Sequence, residues 1–392
     1  MEAFMANTKY LLNSNAVAPL KLIALPGCEE MAQTINDYIV QFRREMAEKN
    51  PAKNNVYGYA ADTFLLGAEC PRFGSGESKG MINESVRGVD LFLLVDVCNY
   101  SITYKEFGHE NHMSPDDHYQ NLKRIIAAVN GKAHRINVIM PFLYESRQHK
   151  RTNRESLDCA LGLQELSAMG VTNIITFDAH DPRVANSIPL HGFDNFFPTY
   201  QFLKALLKTE TDIVIDNDHL MVISPDEGAM SRAVYFSNVL GVDMGMFYKR
   251  RDYSRIVNGK NPIVAHEFLG DSVEGKDCIV IDDMISSGGS MLDVATQLKE
   301  RGAKNVYVCC TFGLFTDGLS KFDEYYNNGM IKKVITTNLI YQTPELLSRE
   351  WYSTAKMGKY MASIIDTLNH DVSIHKVRDN TLKINKLLKR HK

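Results

Sequence analysis

Residues Cys278 to Ser290, C-I-V-I-D-D-M-I-S-S-G-G-S, constrain this chain more than any other stretch. The four apolar residues predict a buried strand that stops at Ile281. Asp282 and Asp283 then stand at its carboxyl end, the edge at which open α/β sheets bind ligands. The turn Ser286, Ser287, Gly288, Gly289, Ser290 brings hydroxyls and backbone N–H groups to the start of a helix carrying Leu292, Val294, Ala295 and Leu298, an arrangement suited to phosphate. Carboxylates repel phosphate but accept hydrogen bonds from a pair of vicinal hydroxyls. The segment therefore predicts a site for a sugar phosphate, ribose 5-phosphate in particular, with the diol on the aspartates and the phosphate on the turn. An ordinary helix N-cap accounts for one serine of this string, not for the acidic pair.

The same strand-then-helix order recurs along the chain. Leu22 to Leu25 reads as a strand closed by Pro26-Gly27, followed by Met31, Ile35, Tyr38, Ile39, Phe42 and Met46 at helical spacing. Further strands are predicted at Leu91 to Val97, Ile136 to Met140, Asn173 to Phe177, Met221 to Ile223, Asp243 to Tyr248, Asn305 to Thr311 and Lys333 to Thr337. Helices near Asp117 to Val129, Glu155 to Met169 and Ala229 to Leu240 fall between them. Such alternation predicts an α/β protein with two tandem domains, each a mainly parallel sheet flanked by helices and joined by right-handed crossovers. The expected division is 20–198, 199–350, and a carboxyl-terminal helix with a basic tail, 351–392, packing back on the first domain.

Composition narrows the function classes. The formal net charge of -3 argues against a general nucleic-acid or membrane-surface binder, which needs a basic excess. The seven cysteines have no C-x-x-C spacing, and Cys278, Cys309 and Cys310 fall in predicted buried strands, so they read as reduced core residues of a cytoplasmic protein. The amino end lacks the apolar stretch of a signal peptide, and no segment has the length and hydropathy of a membrane span. There is no G-x-x-x-x-G-K-[ST] string, so a nucleotide would be held without a P-loop.

The loop at 282–290 resembles the phosphoribosyl diphosphate loop shared by type I phosphoribosyltransferases and ribose-phosphate pyrophosphokinases (PRPP synthetases). Four more segments match the pyrophosphokinase family in the family's order. Arg72-Phe73-Gly74-Ser75-Gly76-Glu77, continued by Asn83-Glu84-Ser85-Val86-Arg87-Gly88, resembles the hairpin that receives the ATP base. Arg147-Gln148-His149-Lys150-Arg151 resembles the segment that grips ATP phosphates. Asp178-Ala179-His180 resembles the D-L-H motif whose histidine helps to hold magnesium. Ser224-Pro225-Asp226 with Gly228 resembles the S-P-D-x-G turn, and Lys249-Arg250-Arg251 the catalytic K-x-R.

The resemblance implies type I phosphoribosyltransferase-like domains and transfer of the diphosphoryl group of ATP to ribose 5-phosphate, giving 5-phosphoribosyl 1-diphosphate and AMP. Lys249 and Arg251 would be catalytic. Phe73, Ser75, Glu77, Arg147, Gln148, Lys150 and Arg151 would bind ATP; Asp282, Asp283, Ser286, Ser287, Gly288, Gly289 and Ser290 would bind ribose 5-phosphate. His180 and Asp226 would meet Mg²⁺ at the carboxyl edges of the two sheets, and the protein would be a homo-oligomer built from dimers. Three positions depart from the family pattern: Ser75 and His149 stand where it has aspartates, and Ser286 where it commonly has an acidic residue. A phosphoribosyltransferase using the same loop, and a catalytically silent regulatory subunit, are the alternative readings.

Overall fold

The computed structural model describes residues 11–251 and 263–391, with the side chains of 249–251 and 263–266 outside that description. The chain divides into two units. The first comprises residues up to Phe197 together with Leu339–Tyr341 and Lys356–Leu382; the second comprises Pro198–Asn338, Gln342–Ala355 and Lys383–Lys392. Among the described residues no helix is long and apolar enough to cross a membrane.

The strands of the first unit are β1 (Leu20–Ala24), β2 (Ala68–Glu69), β3 (Met81–Ile82), β4 (Asp90–Leu94), β5 (Thr103–Glu106), β6 (His109–His112), β7 (Arg135–Ile139), β8 (Asn173–Phe177) and β9 (Gly192–Phe196). Five of them form one parallel sheet in the order β1-β4-β7-β8-β9. Every residue of β4 is buried, as expected of a strand covered on both faces. The helix expected near Asp117 starts at Pro115, because Ser114 and Asp117 cap it reciprocally and proline suits its first turn. β9 escaped sequence reading. Its residues, G-F-D-N-F, lack an apolar run because it closes the sheet edge beside β8.

The second unit holds β10 (Leu220–Ser224), β11 (Met244–Arg251), β12 (Ile263–Leu269), β13 (Asp277–Ile285), β14 (Asn305–Gly313), β15 (Lys333–Thr337) and β16 (Tyr352–Ala355). They form a seven-stranded sheet in the order β12-β11-β10-β13-β14-β15-β16, parallel except for the edge strand β12. Met221, Ile223, Cys278 and Val280 join one buried cluster with Leu292, Val294 and Leu298; Val222, Ile279 and Ile281 join another on the opposite face. The alternation along each strand thus serves two helical layers.

The carboxyl-terminal segment is shared between the units. The helix Gly358–Asn369 packs on Glu29–Lys49 in the first, where the Arg43 Nε donates to Asp366 Oδ1 at 2.9 Å and the Nη2 to Asn369 Oδ1 at 2.6 Å. Residues from Lys383 onward belong to the second, where Ile384 is fully buried with Leu387 and Leu388 packed against the same core. All seven cysteines are free.

Candidate active site

β13 does not stop at Ile281. It runs to Ile285, because the ladder with β14 continues past the aspartates, pairing Asp282 with Cys310 and Ile285 with Gly313. The acidic pair therefore lies inside the strand, where Asp283 is buried and Asp282 half-buried. Strand geometry would send adjacent side chains to opposite faces. Here the Asp283 N–H folds back to donate to Asp282 Oδ1 at 2.8 Å. Burial, and then the neighbouring Asp283 charge, push the Asp282 carboxyl well above its ordinary range, with Asp226 adding to the effect.

The turn that follows is built around Gly288. Its φ is +89, and a Cβ there would meet the ring of Phe322 at 2.4 Å, so both backbone and packing demand glycine. Gly288 is the N-cap of the helix Gly289–Glu300 and brings no side-chain oxygen to the first-turn N–H groups. Neither Ser286 nor Ser287 is the cap, so an ordinary serine N-cap does not account for the string. The backbone carbonyl of Ser286 accepts from Thr316 at 3.0 Å, tying the turn to the segment after β14.

Beside this loop, at the end of β10, Asp226 Oδ1 accepts from the N–H groups of Gly228 and Ala229 at 2.9 and 3.2 Å, while the Ser224 hydroxyl donates to the Asp226 carbonyl at 2.7 Å. Sequence reading missed Arg232. In the first turn of the helix Met230–Leu240, its Nη1 donates to the Gly228 carbonyl at 3.2 Å and its Nη2 lies 3.8 Å from Asp283 Oδ2. The signal was present as a lone arginine six residues beyond Asp226, but nothing local marks its direction. Lys249 and Arg251 close β11, opposite His266 and Ile263 of β12; their side chains lie outside the described residues.

In the first unit the segment Arg72 to Ser78 forms a tight turn, with an isolated bridge between those two residues. Phe73 N–H donates to the Glu77 carbonyl at 2.7 Å and Gly76 N–H to the Phe73 carbonyl at 2.9 Å. The turn leaves the Phe73 ring 55% exposed, and the Ser75 hydroxyl donates to Glu77 Oε2 at 3.0 Å. Beyond Cys98 the chain forms the antiparallel hairpin β5–β6. It clasps the turn: Arg72 lies 3.7 Å over the Tyr104 ring and reaches Asp117 at 2.7 Å, and the Phe107 N–H donates to the Gly74 carbonyl at 2.8 Å.

At the carboxyl end of β8, Asp178 takes a left-handed φ of 43 and its N–H donates to the Phe196 carbonyl of β9 at 2.8 Å. This sharp turn brings His180 to the surface. The basic segment comes to the same place, since the His149 ring meets the His180 ring edge-on at 5.3 Å and His149 Nε2 is 3.5 Å from Asp181 Oδ2. Burial lowers the His149 pKa. Arg183 clamps Asp181 and holds its carboxyl down to about 2. Gln148 Nε2 donates to the Ser156 carbonyl at 2.9 Å, while Arg147, Lys150 and Arg151 are exposed. Among the described residues no three His, Cys, Asp or Glu side chains gather as a metal cage. His180 belongs to the first unit and Asp226 to the second.

Two tandem units with mainly parallel sheets, the second carrying an acidic pair in front of a glycine-capped helix, define a phosphoribosyltransferase-type architecture. Residues 20–170 match the N-terminal domain of ribose phosphate pyrophosphokinase, and residues 201–348 match the phosphoribosyl transferase domain. A ribose-phosphate pyrophosphokinase of Vibrio parahaemolyticus is 29% identical over 313 residues, 78% of this chain and 89% of that protein. One from Clostridium perfringens is 28% identical over 312 residues, 78% of this chain and 87% of that protein. The fold is also that of a crystal structure of phosphoribosylpyrophosphate synthetase from Mycobacterium smegmatis, with a TM-score of 0.68 and 22% identity across 89% of this chain and 98% of that one. The chain belongs to the ribose-phosphate pyrophosphokinase family, as a divergent member.

Proposed function

We propose that the protein is an active ribose-phosphate pyrophosphokinase. The anomeric hydroxyl of ribose 5-phosphate attacks the β-phosphorus of ATP, the bond from that phosphorus to the bridging oxygen of the α-phosphate breaks, and AMP leaves with that oxygen. The hydroxyl proton goes to solvent. The observation that carries this reading is the hydrogen-bonded pair Asp282–Asp283 ahead of a helix whose N-cap is glycine. Such a site offers acceptors to a diol and N–H donors to a phosphate, on a chain of this family.

Phosphoryl-type transfer asks little covalent chemistry of a protein and much positioning and charge neutralisation. Arg147, Lys150 and Arg151 would meet the ATP phosphates, with Gln148 fixed to Ser156 beside them, and Phe73, Ser75 and Glu77 would meet the base. Ser286, Ser287, Gly288, Gly289 and Ser290 would hold the 5-phosphate. Lys249 and Arg251 would face the charge that grows on the transferred group and on departing AMP. His180 of the first unit and Asp226 of the second would each offer Mg²⁺ a donor, an imidazole nitrogen and a carboxylate whose Oδ1 accepts from two backbone N–H groups. The chemistry Mg²⁺ would supply when bound is screening of phosphate charge, which asks few ligands of the protein. Assembly from dimers and a cytoplasmic location complete the reading.

The test is AMP release from ATP. Release that depends on added ribose 5-phosphate supports the proposal. AMP-free mixtures with intact ATP binding would identify a silent regulatory subunit. Consumption of phosphoribosyl diphosphate with a free base, and no AMP release, would identify a phosphoribosyltransferase.

A further inference from the structure

We infer that the hairpin β5–β6 supplies a second aromatic wall, Phe107, to the base of the bound nucleotide. The inference rests on the assignment of the Arg72 to Ser78 turn to ATP and adds a residue that the family's motifs do not contain. The hairpin strands, T-Y-K-E and H-E-N-H, are mostly exposed and polar. Glu106 pairs with His109, leaving a two-residue loop in which Phe107 has φ 46 and Gly108 φ 82. Positive φ at both positions is the turn that favours Asn-Gly, and a phenylalanine there is strained. Phe107 is also 77% exposed, so the ring contributes little to the fold that would offset the strain.

The position of the loop suggests what the ring meets instead. Phe107 N–H donates to the carbonyl of Gly74, the residue next to the exposed Phe73. Glu106 seals the other side of the turn, since a Cβ on Gly76 would come within 2.3 Å of its Oε1. Among the described residues neither Phe73 nor Phe107 pairs with another ring. Two exposed rings are thus held on neighbouring turns by one peptide hydrogen bond, with Ser75 and Glu77 as polar groups between them in sequence. A flat heteroaromatic base suits this arrangement. A protein partner suits it less, because the flanking Lys105, His109 and Glu110 give no contiguous apolar patch.

The experiment compares the full-length protein with Phe107→Asn and Phe107→Trp. Asparagine before glycine is the preferred loop pair, so the first variant keeps the hairpin and removes the ring. Expected are a dissociation constant for ATP, by equilibrium dialysis, raised about tenfold in Phe107→Asn and near wild type in Phe107→Trp. The KM for ribose 5-phosphate and the affinity for tripolyphosphate, which has no base, should not change. Unchanged ATP affinity in Phe107→Asn overturns the inference alone, as does a change confined to oligomeric state. Failure of the wild-type protein to bind ATP overturns it together with the proposed function.

Discussion

Arg232 Nη2 stands 3.8 Å from Asp283 Oδ2, with both side chains at most 10% exposed. The same guanidinium donates to the Gly228 carbonyl, so one residue links the turn holding Asp226 to the carboxylate pair on β13. A cation at this place favours the ionised form of a buried carboxylate and fixes its orientation. On the proposed function, Arg232→Gln should therefore raise the KM for ribose 5-phosphate severalfold while leaving the KM for ATP within about twofold, since a buried carboxylate at the sugar site would lose its ion-pair partner. Steady-state kinetics with each substrate varied separately checks this. An equal rise in both KM values would make Arg232 a general structural residue.

Asp282 carries a stability cost that depends on pH. Its folded pKa is raised by burial first and by Asp283 second, so the folded state holds a proton that the unfolded state releases. The sign follows: stability falls as pH rises from the unfolded carboxylate pKa through the raised folded value. Asp282→Asn, which has no such titration, should melt a few degrees above wild type at pH 7, with the gap closing toward pH 4. On the proposed function it should also lose activity, because an amide NH₂ replaces one of the two oxygens that would face the diol. Thermal melts across that range read the sign, and a gap that widens toward acid would reject it.

Lys249 and Arg251 stand at the end of β11, the strand beside β10. On the proposed function, alanine at either position should lower turnover by about 10²–10³ with little change in KM, since the lost interaction would be one made with charge that develops in the transition state. Near-normal kcat in both variants would remove them from the chemistry.

Arg43 and Asp366 make the ion pair between the helices Glu29–Lys49 and Gly358–Asn369 of the first unit, each side chain 1% exposed. Tyr59 and Phe64 lie 4.8 Å from the same guanidinium. Arg43→Ala should destabilise the protein by about 3–5 kcal/mol, since it strands a buried carboxylate. The double variant Arg43→Met with Asp366→Leu should recover most of that loss. Denaturant unfolding of the single and double variants measures both.

Local chemistry made much of this protein legible. Apolar runs such as Leu91 to Leu94 and Met221 to Ile223 can only be satisfied by burial on both faces, and the helical spacing from Met31 to Met46 presents one apolar stripe, so two helix-covered parallel sheets followed from pattern alone. From Ser286 to Ser290 the string was legible as a turn opening a helix, because serines and glycines in succession end a strand and the apolar spacing after them is helical. Tertiary structure decided whatever depends on partners distant in sequence. β13 reaches Ile285 only because β14 lies alongside to pair with it, and β9 is a strand only beside β8. Arg232 reaches Asp283 across the packing of a helix on a sheet, and Phe107 meets Gly74 through a hairpin that a sequence pattern shows only as polar residues around a glycine. Such contacts form between groups that are neighbours in space alone, and their energies appear only once the chain has folded.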